Sequence, residues 1–272
     1  MDRLRPRPRA LALRHLLAVA VLAAAVATGV GPLSNPAGVR AGTAETMEAQ
    51  LLTLINDARA KKSLRPLRAW GRLTDMAGDR AYTMAKNRTL AHTSCLSCLF
   101  NSYGVSRYSS GEIIASTSYP WGSQAATSIF NGWKGSSLHW AMLMSSSFNY
   151  IGLGVSLSSN GRTYAAGELA ESNDHTKPWA RIAGSSRSGT TVSWSWTGAD
   201  ILLQTHTSGL KNFDVQYRVG SGTWTTIRSG TTTRSISLSG RPHGTYVGLR
   251  VRARDNRGYI SNYSAETRVW VP

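Results

Sequence analysis

The sequence predicts two folded modules in series, a mixed α+β module followed by an all-β sandwich. Three observations predict them: apolar residues recur every third or fourth position from Met47 to Ala85, an Asn-Gly pair sits between two β-runs near residue 160, and two-residue alternation dominates from Val192 onward. A chain of 272 residues with 41% hydrophobic side chains has the length for two cores.

The first 41 residues are set apart from the rest. Arg3, Arg5, Arg7, Arg9 and Arg14 precede an apolar run from Leu16 to Val30, the layout of a secretory signal peptide. Ala27 and Ala41 both close a small-x-Ala pattern, so the cleavage site stays open between them. The run is shorter than the roughly 20 residues of a membrane span, which leaves a retained anchor as the alternative. Membrane contact is expected only through this segment or peripherally.

Within the first module, Met47, Leu51, Leu54, Ile55 and Ala58 share one helical face, and Pro66 lies beyond the expected end of that helix. Leu73, Ala77, Ala81, Met84 and Ala85 mark a second helix over about 72–90, with His92 just past it. Residues 94–124, rich in Ser, Gly and Tyr, read as a long loop interrupted by Gly111-Glu112-Ile113-Ile114-Ala115. A helix is expected over 125–133, and Ser136 suits the N-cap of a short one carrying His139. Tyr150–Leu157 and Arg162–Leu169, joined by Ser158-Ser159-Asn160-Gly161, read as a hairpin.

The module boundaries follow from this pattern: a first module over 45–170, a linker over 171–188 where periodicity fades and Pro178 and Gly184 appear, and a β-module over 189–272. In the β-module, Leu249, Val251 and Ala253 share one face and Arg250, Arg252 and Arg254 the other. Tyr246 is out of phase with Leu249, so burying it would require a bulge, expected at Gly248. Trp194 and Trp196 share a face, so at least one belongs to the core and the other, with Trp224, is a candidate for stacking on sugars.

Charge is uneven. The formal net charge is +17, and residues 42–176 carry +3 against +9 for residues 177–272. The basic surface therefore belongs to the second module. Its arginines Arg218, Arg250, Arg252 and Arg254 form a candidate polyanion-binding face, or else simply a solvated strand face. Outside a cell the matching partner is an envelope polymer or lipid headgroup rather than nucleic acid.

Cys95 and Cys98 are the only cysteines. A local disulfide suits an oxidising compartment. A redox dithiol, or metal ligation together with His92, stays open as well. No Gly-x-Ser-x-Gly elbow is present, and His175, His206 and His243 fall in turn-rich segments where solvated positions are expected.

The run Leu54-Ile55-Asn56-Asp57-Ala58-Arg59, with Pro66-Leu67, Leu73, Ala77, Ala81, Met84 and His92, resembles the opening of the CAP superfamily. Gly111-Glu112-Ile113-Ile114-Ala115 is similar to its Gly-Glu-Asn-Ile-Ala motif. Trp133-x-x-Ser136-x-x-His139 followed by Tyr150-Ile151-Gly152-Leu153-Gly154-Val155 resembles the bacterial form of its closing signature. The resemblance implies an α/β/α sandwich whose cleft gathers His92, Glu112 and His139, with Ser136 near where other members offer a second acid. Two imidazoles and a carboxylate form a chemically credible set for a divalent ion, zinc or calcium, and a carboxylate beside a metal-bound water can serve as general base. The same groups can equally form a structural hydrogen-bonded cluster. Ile113 stands where the motif has Asn, which removes an amide from it; Glu168 and Glu171 are further acids nearby.

Residues 180–271, on Phe213-x-Val215-x-Tyr217-Arg218-Val219, Trp224 and Leu249-Arg250-Val251-Arg252-Ala253-Arg254-Asp255-x-x-Gly258, resemble the fibronectin type III repeats of exported bacterial proteins, which act as spacers or surface binders. Taken together, the expectation is a secreted or cell-surface protein that binds a lipid-like or envelope ligand, or a divalent metal, in its cleft. A metal-assisted hydrolase acting on peptide or wall substrates and a structural or adhesive envelope protein are the alternatives.

Overall fold

The computed structural model describes residues 43–272, so the expected signal segment lies outside the described residues. Helix α1 (Ala44–Ala60) starts on Thr43, whose hydroxyl accepts from the Thr46 N–H, and its buried stripe is Met47, Leu51, Ile55 and Arg59. Strand β1 (Arg68–Ala69) leads into α2 (Gly71–Asn87), which buries Leu73, Met76, Ala77, Ala81, Met84 and Ala85. Next come α3 (Leu96–Ser102), β2 (Ser109–Thr117), α4 (Ser123–Gly135), α5 (Ser137–Leu143), β3 (Tyr150–Leu157) and β4 (Thr163–Glu171).

These elements make an α/β/α sandwich. The sheet runs β1-β3-β4-β2, with β1 parallel to β3 and the remaining pairs antiparallel. Ile113, Ile151, Leu153, Val155, Ala165 and Leu169 pack with α1 and α4 on one face. Ile114, Tyr164 and Ala166 pack with Ala77, Met84 and Ala85 of α2 on the other. Gly152 and Gly154 of β3 let α2 lie directly on the sheet: a Cβ at Gly152 would meet the Leu73 carbonyl carbon at 1.9 Å, and one at Gly154 would meet that of Ala77 at 2.3 Å. The β3–β4 hairpin closes through Gly161 at φ 80°, as the Asn-Gly signal anticipates.

The segment read as a long loop is more ordered than expected. It holds α3, whose start is fixed by the Cys95–Cys98 disulfide, and a nine-residue strand, β2. The short motif around Glu112 is the centre of that strand, flanked by Ser109, Ser110, Ser116 and Thr117, which carry no alternation.

The second region is an all-β sandwich of β5 (Trp179–Ser188), β6 (Thr191–Ala199), β7 (Leu210–Val219), β8 (Thr225–Thr231), β9 (Ser235–Leu238), β10 (Thr245–Asp255) and β11 (Thr267–Val271). Its sheets run β5-β6-β9 and β11-β10-β7-β8, and Val192, Trp194, Trp196, Phe213, Val215, Val247, Leu249 and Val251 form the core between them. Most of the expected linker is strand β5. That edge strand is largely exposed and rich in Ser and Arg, so it carries little hydrophobic pattern to read. Tyr246 is 48% exposed, so the condition for a bulge is not met, and the β10 pairing runs without interruption through Gly248. Instead Gly248 makes room for Glu266, whose carboxylate would lie 2.0 Å from a Cβ at that position.

The two regions share a core. Leu203 and Ile201, after β6, pack with Leu73, Met76, Phe100, Val105, Tyr150 and Ala170. Asn149 ties them further: its amide donates to Ser172 O (2.6 Å) and Thr205 O (3.0 Å), while its carbonyl accepts from Ser172 N (3.0 Å).

Candidate functional site

The antiparallel register of β2 and β4 sets Glu112 directly opposite Glu168, both on the face that carries α2. Ile113, next in β2, points the other way into the α1/α4 core and fills the space left by Gly167, where a Cβ would come within 2.7 Å of it. The departure from the Asn of the motif therefore does not touch the cleft.

Glu112 is held at three points. Arg80, from α2, donates to its Oε1 at 3.1 Å, Thr93 N–H reaches its oxygens at 3.2 and 3.1 Å, and His92 Nδ1 lies 3.4 Å from Oε1. Arg80 also donates to Ala91 O at 2.6 Å, so one guanidinium positions both the carboxylate and the segment that carries His92. The His92 and His139 rings stand 6.0 Å apart. Partial burial, reinforced by the neighbouring His92, holds the His139 imidazole below its usual pKa.

Glu168 is the residue that sequence reading only touched on. It is fully buried, and both its oxygens lack a hydrogen-bond partner. Burial, helped by the charge of Glu112 and opposed by Arg80, pushes its carboxyl up to about 8. The site thus holds one carboxylate compensated by Arg80 and a second acid that keeps its proton at neutral pH.

An open cleft of about 360 Å³ lies against this cluster, lined by polar His92, Thr93, Ser110 and Glu112 and by apolar Leu96, Met142 and Phe148. His139 is not among the residues that line it, and neither is Ser136. Its hydroxyl faces the His139 N–H at 3.5 Å as the N-cap of α5, which aims the His139 ring across at His92. His92, Glu112 and His139 do not bring three ligand atoms within 4.8 Å of one another, and Glu112 already serves Arg80 and Thr93. As arranged, the three do not fit a shared metal sphere.

Arg59 went unassigned from sequence and is structurally central. Fully buried at the end of α1, it donates to Arg65 O (2.8 Å), Leu143 O (2.7 Å) and Ser145 O (3.0 Å), and so anchors the end of α5 beside the cleft. Its sequence signals are its place at the end of the Leu54–Arg59 run and a charged side chain where the helical pattern calls for an apolar one.

The four arginines expected to form a polyanion face do share the outer face of the sandwich, but they have partners within the protein. Arg218 donates to Glu266 at 2.9 Å, Arg252 to Asp214 at 2.9 Å and Arg250 to Gln216 at 2.7 Å, while Arg254 lies 3.8 Å from Asp214. Trp224 is stacked by Arg218 and Arg250, and Tyr263 by Arg250 and Arg252, in a cation–π ladder. Trp194 and Trp196 are both buried, so neither is open to a sugar. His175, expected in solvent, is half-buried, stacked on Trp70 at 4.1 Å and bonded to Tyr259. His206 pairs with Glu171 at 2.9 Å.

Among the described residues no helix is long and apolar enough to cross a membrane. No curated protein is significantly similar to the chain. Among solved structures, the chain is similar to a cysteine-rich secretory protein from Staphylococcus aureus (17% identity, 47% of this chain and 40% of that one, TM-score 0.39). It is also similar to an extracellular protein containing an SCP domain from Bacillus anthracis (20% identity, 53% and 45%, TM-score 0.42). A third is an Fn3-like protein from Clostridium thermocellum (23% identity, 36% and 96%, TM-score 0.26). The chain spans less than half the length of the first two. Residues 52–169 match the cysteine-rich secretory protein family, CAP. The α/β/α region built around Glu112 is therefore a CAP-family domain.

Proposed function

We propose that this is an exported binding protein whose CAP domain takes an amphipathic, lipid-like envelope ligand in the cleft beside His92, Glu112 and His139. The observation that carries the reading is the two-sided lining of that cleft. Leu96, Met142 and Phe148 offer an apolar surface, while His92 and the Thr93–Glu112 edge offer polar groups held in place by Arg80. A ligand with an apolar body and a polar head matches such a lining. Glu112 lends itself poorly to general-base work, since Arg80 and Thr93 occupy its oxygens, and Glu168 is sealed from any substrate. Binding is thus favoured over metal-assisted hydrolysis.

The basic sandwich is proposed as a fibronectin type III-like spacer that presents the CAP domain at the envelope. Its arginine ladder keeps an excess of positive charge: among the described residues Arg218, Arg252, Arg254 and Arg268 share Asp214 and Glu266, and Arg250 pairs with neither.

Calorimetric titration with sodium laurate, a simple amphiphile, tests the binding reading. Saturable binding weakened at least tenfold in His92→Ala/His139→Ala and in Phe148→Ser is expected. Heats that are absent, or equal in all three proteins, would count against it. Charge reversal of Arg250 and Arg252 that leaves adsorption to anionic wall polymer unchanged would remove the sandwich from surface attachment.

A further inference from the structure

Three aspartates from separate elements meet where the two regions join. Asp174 follows β4, Asp200 directly follows β6, and Asp255 ends β10. One carboxylate oxygen of each lies within 4.8 Å of the other two, and the side chains are 0%, 6% and 0% exposed respectively. None of them takes part in an ion pair with Lys, Arg or His among the described residues. Carboxylates this close and this buried repel one another unless protons or a cation intervene.

Backbone and hydroxyl donors serve most of their lone pairs. Asp174 accepts from Thr176 N (2.8 Å), Thr176 Oγ1 (2.6 Å), Tyr150 Oη (3.4 Å) and Ser208 N (2.9 Å). Asp200 accepts from Ile201 N (2.9 Å), Gly209 N (2.6 Å) and Ser208 Oγ (3.0 Å). On Asp255 the donors fall on one oxygen only: Oδ1 accepts from Arg257 N (2.9 Å) and Tyr259 N (2.8 Å), whereas Oδ2 is buried and has no donor at all. A bare carboxylate oxygen, in a fully buried side chain grouped with two further carboxylates, lacks a positive partner.

We infer that Asp174, Asp200 and Asp255 hold a hard divalent cation of the calcium type at the junction between the CAP domain and the β-sandwich. The donor set is oxygen only, with no His or Cys, which selects calcium or magnesium over zinc. Oxygens within 4.8 Å of one another fit around one ion at the Ca–O distance of about 2.3–2.6 Å. The hydroxyls of Thr176 and Ser208, already against these carboxylates, supply neutral oxygens beside them. The ion ties the end of the CAP sheet to two strands of the sandwich, and it is independent of the His92–His139 cleft.

Terbium luminescence on the chelator-treated full chain provides the test. Tyr150, bonded to Asp174, and Tyr259, whose N–H serves Asp255, stand in place as sensitisers. The expected result is one saturable Tb³⁺ signal displaced by Ca²⁺, weakened at least tenfold in Asp255→Asn and unchanged in His92→Ala/His139→Ala. Calcium is also expected to raise the melting temperature of the wild-type chain above its value in EDTA, a readout that does not depend on the variant folding. Asp200→Asn, at the least buried of the three, serves if Asp255→Asn does not fold. The inference is overturned if Ca²⁺ up to about 5 mM, above the 10⁻⁴–10⁻³ M range of extracellular calcium modules, neither displaces terbium nor moves the melting temperature. A terbium signal lost in the histidine variant but kept in Asp255→Asn would overturn it equally.

Discussion

Replacing Glu168 by Gln isolates the electrostatics of the CAP sheet. The side chain is 0% exposed, no donor reaches it, and Glu112 sits opposite in the ladder, so folding raises its carboxyl from 4.5 to about 8. A raised acid pKa means that the folded state binds the proton more tightly than the unfolded state. Below pH 4.5 both states are protonated and Glu168 costs nothing; between 4.5 and 8 the cost grows by about 1.4 kcal/mol per pH unit, and above 8 it levels off. At pH 7 the wild type therefore carries a penalty on the order of 3 kcal/mol that the Gln variant lacks. Urea denaturation of both proteins at pH 4.5, 7 and 8.5 reads this directly. The stability difference should move in favour of Glu168→Gln by about 3 kcal/mol between the first two pH values and further at the third. Glu48, pushed up to about 7 by burial, titrates alike in both proteins and cancels. A difference that stays constant across pH would refute the reasoning, because Glu168 would then titrate as it does in the unfolded chain.

Other perturbations address different parts of the account. Gly152→Ala would drive a methyl into the Leu73 backbone, which no side-chain rotation relieves, so a loss at or above the upper end of the usual 1–3 kcal/mol overpacking range, roughly 3 kcal/mol, is expected in urea denaturation. A neutral result would deny the close approach of α2 to β3. Arg59→Ala strips the donors from three carbonyls and should cost on the order of 3 kcal/mol, with faster amide exchange in α5 than in α2. Cys95→Ser/Cys98→Ser opens a loop of only a few residues, worth about 2 kcal/mol of chain entropy, so the change in hydrogen exchange should be confined to α3 and its flanks.

Elements with one buried face were legible from the sequence. α1, α2 and the alternating strands β6, β7 and β10 each repeat apolar residues at the period of their own geometry, while the β3–β4 hairpin, buried on both faces, was legible from its Asn-Gly turn. What escaped had no such period. β5 is an edge strand with little to bury, and β2 carries small and polar residues on both sides of Glu112. His92, Glu112 and His139 were placed by resemblance; the structure brings His92 and Glu112 to the cleft lining and leaves the His139 ring 6.0 Å from that of His92, outside the lining. Their partners were hidden, because Arg80 and Glu168 meet Glu112 only through helix packing and strand register. The three aspartates lie at or just beyond strand ends, where solvated acids are the default reading, and only the docking of residues 200–209 onto the CAP domain buries them together.

The central claim is that the cleft beside His92 binds an amphipathic ligand, and the most direct measurement is a laurate titration followed by NMR at the methionine methyls and histidine rings. The account predicts saturable shifts at Met142 and at the His92 and His139 rings, with Met76, in a separate core cluster, unmoved. Laurate that left Met142 and His92 unmoved, or that acted instead on the apolar pocket between α1 and β3 lined by Glu48, Leu52 and Ile151, would contradict it.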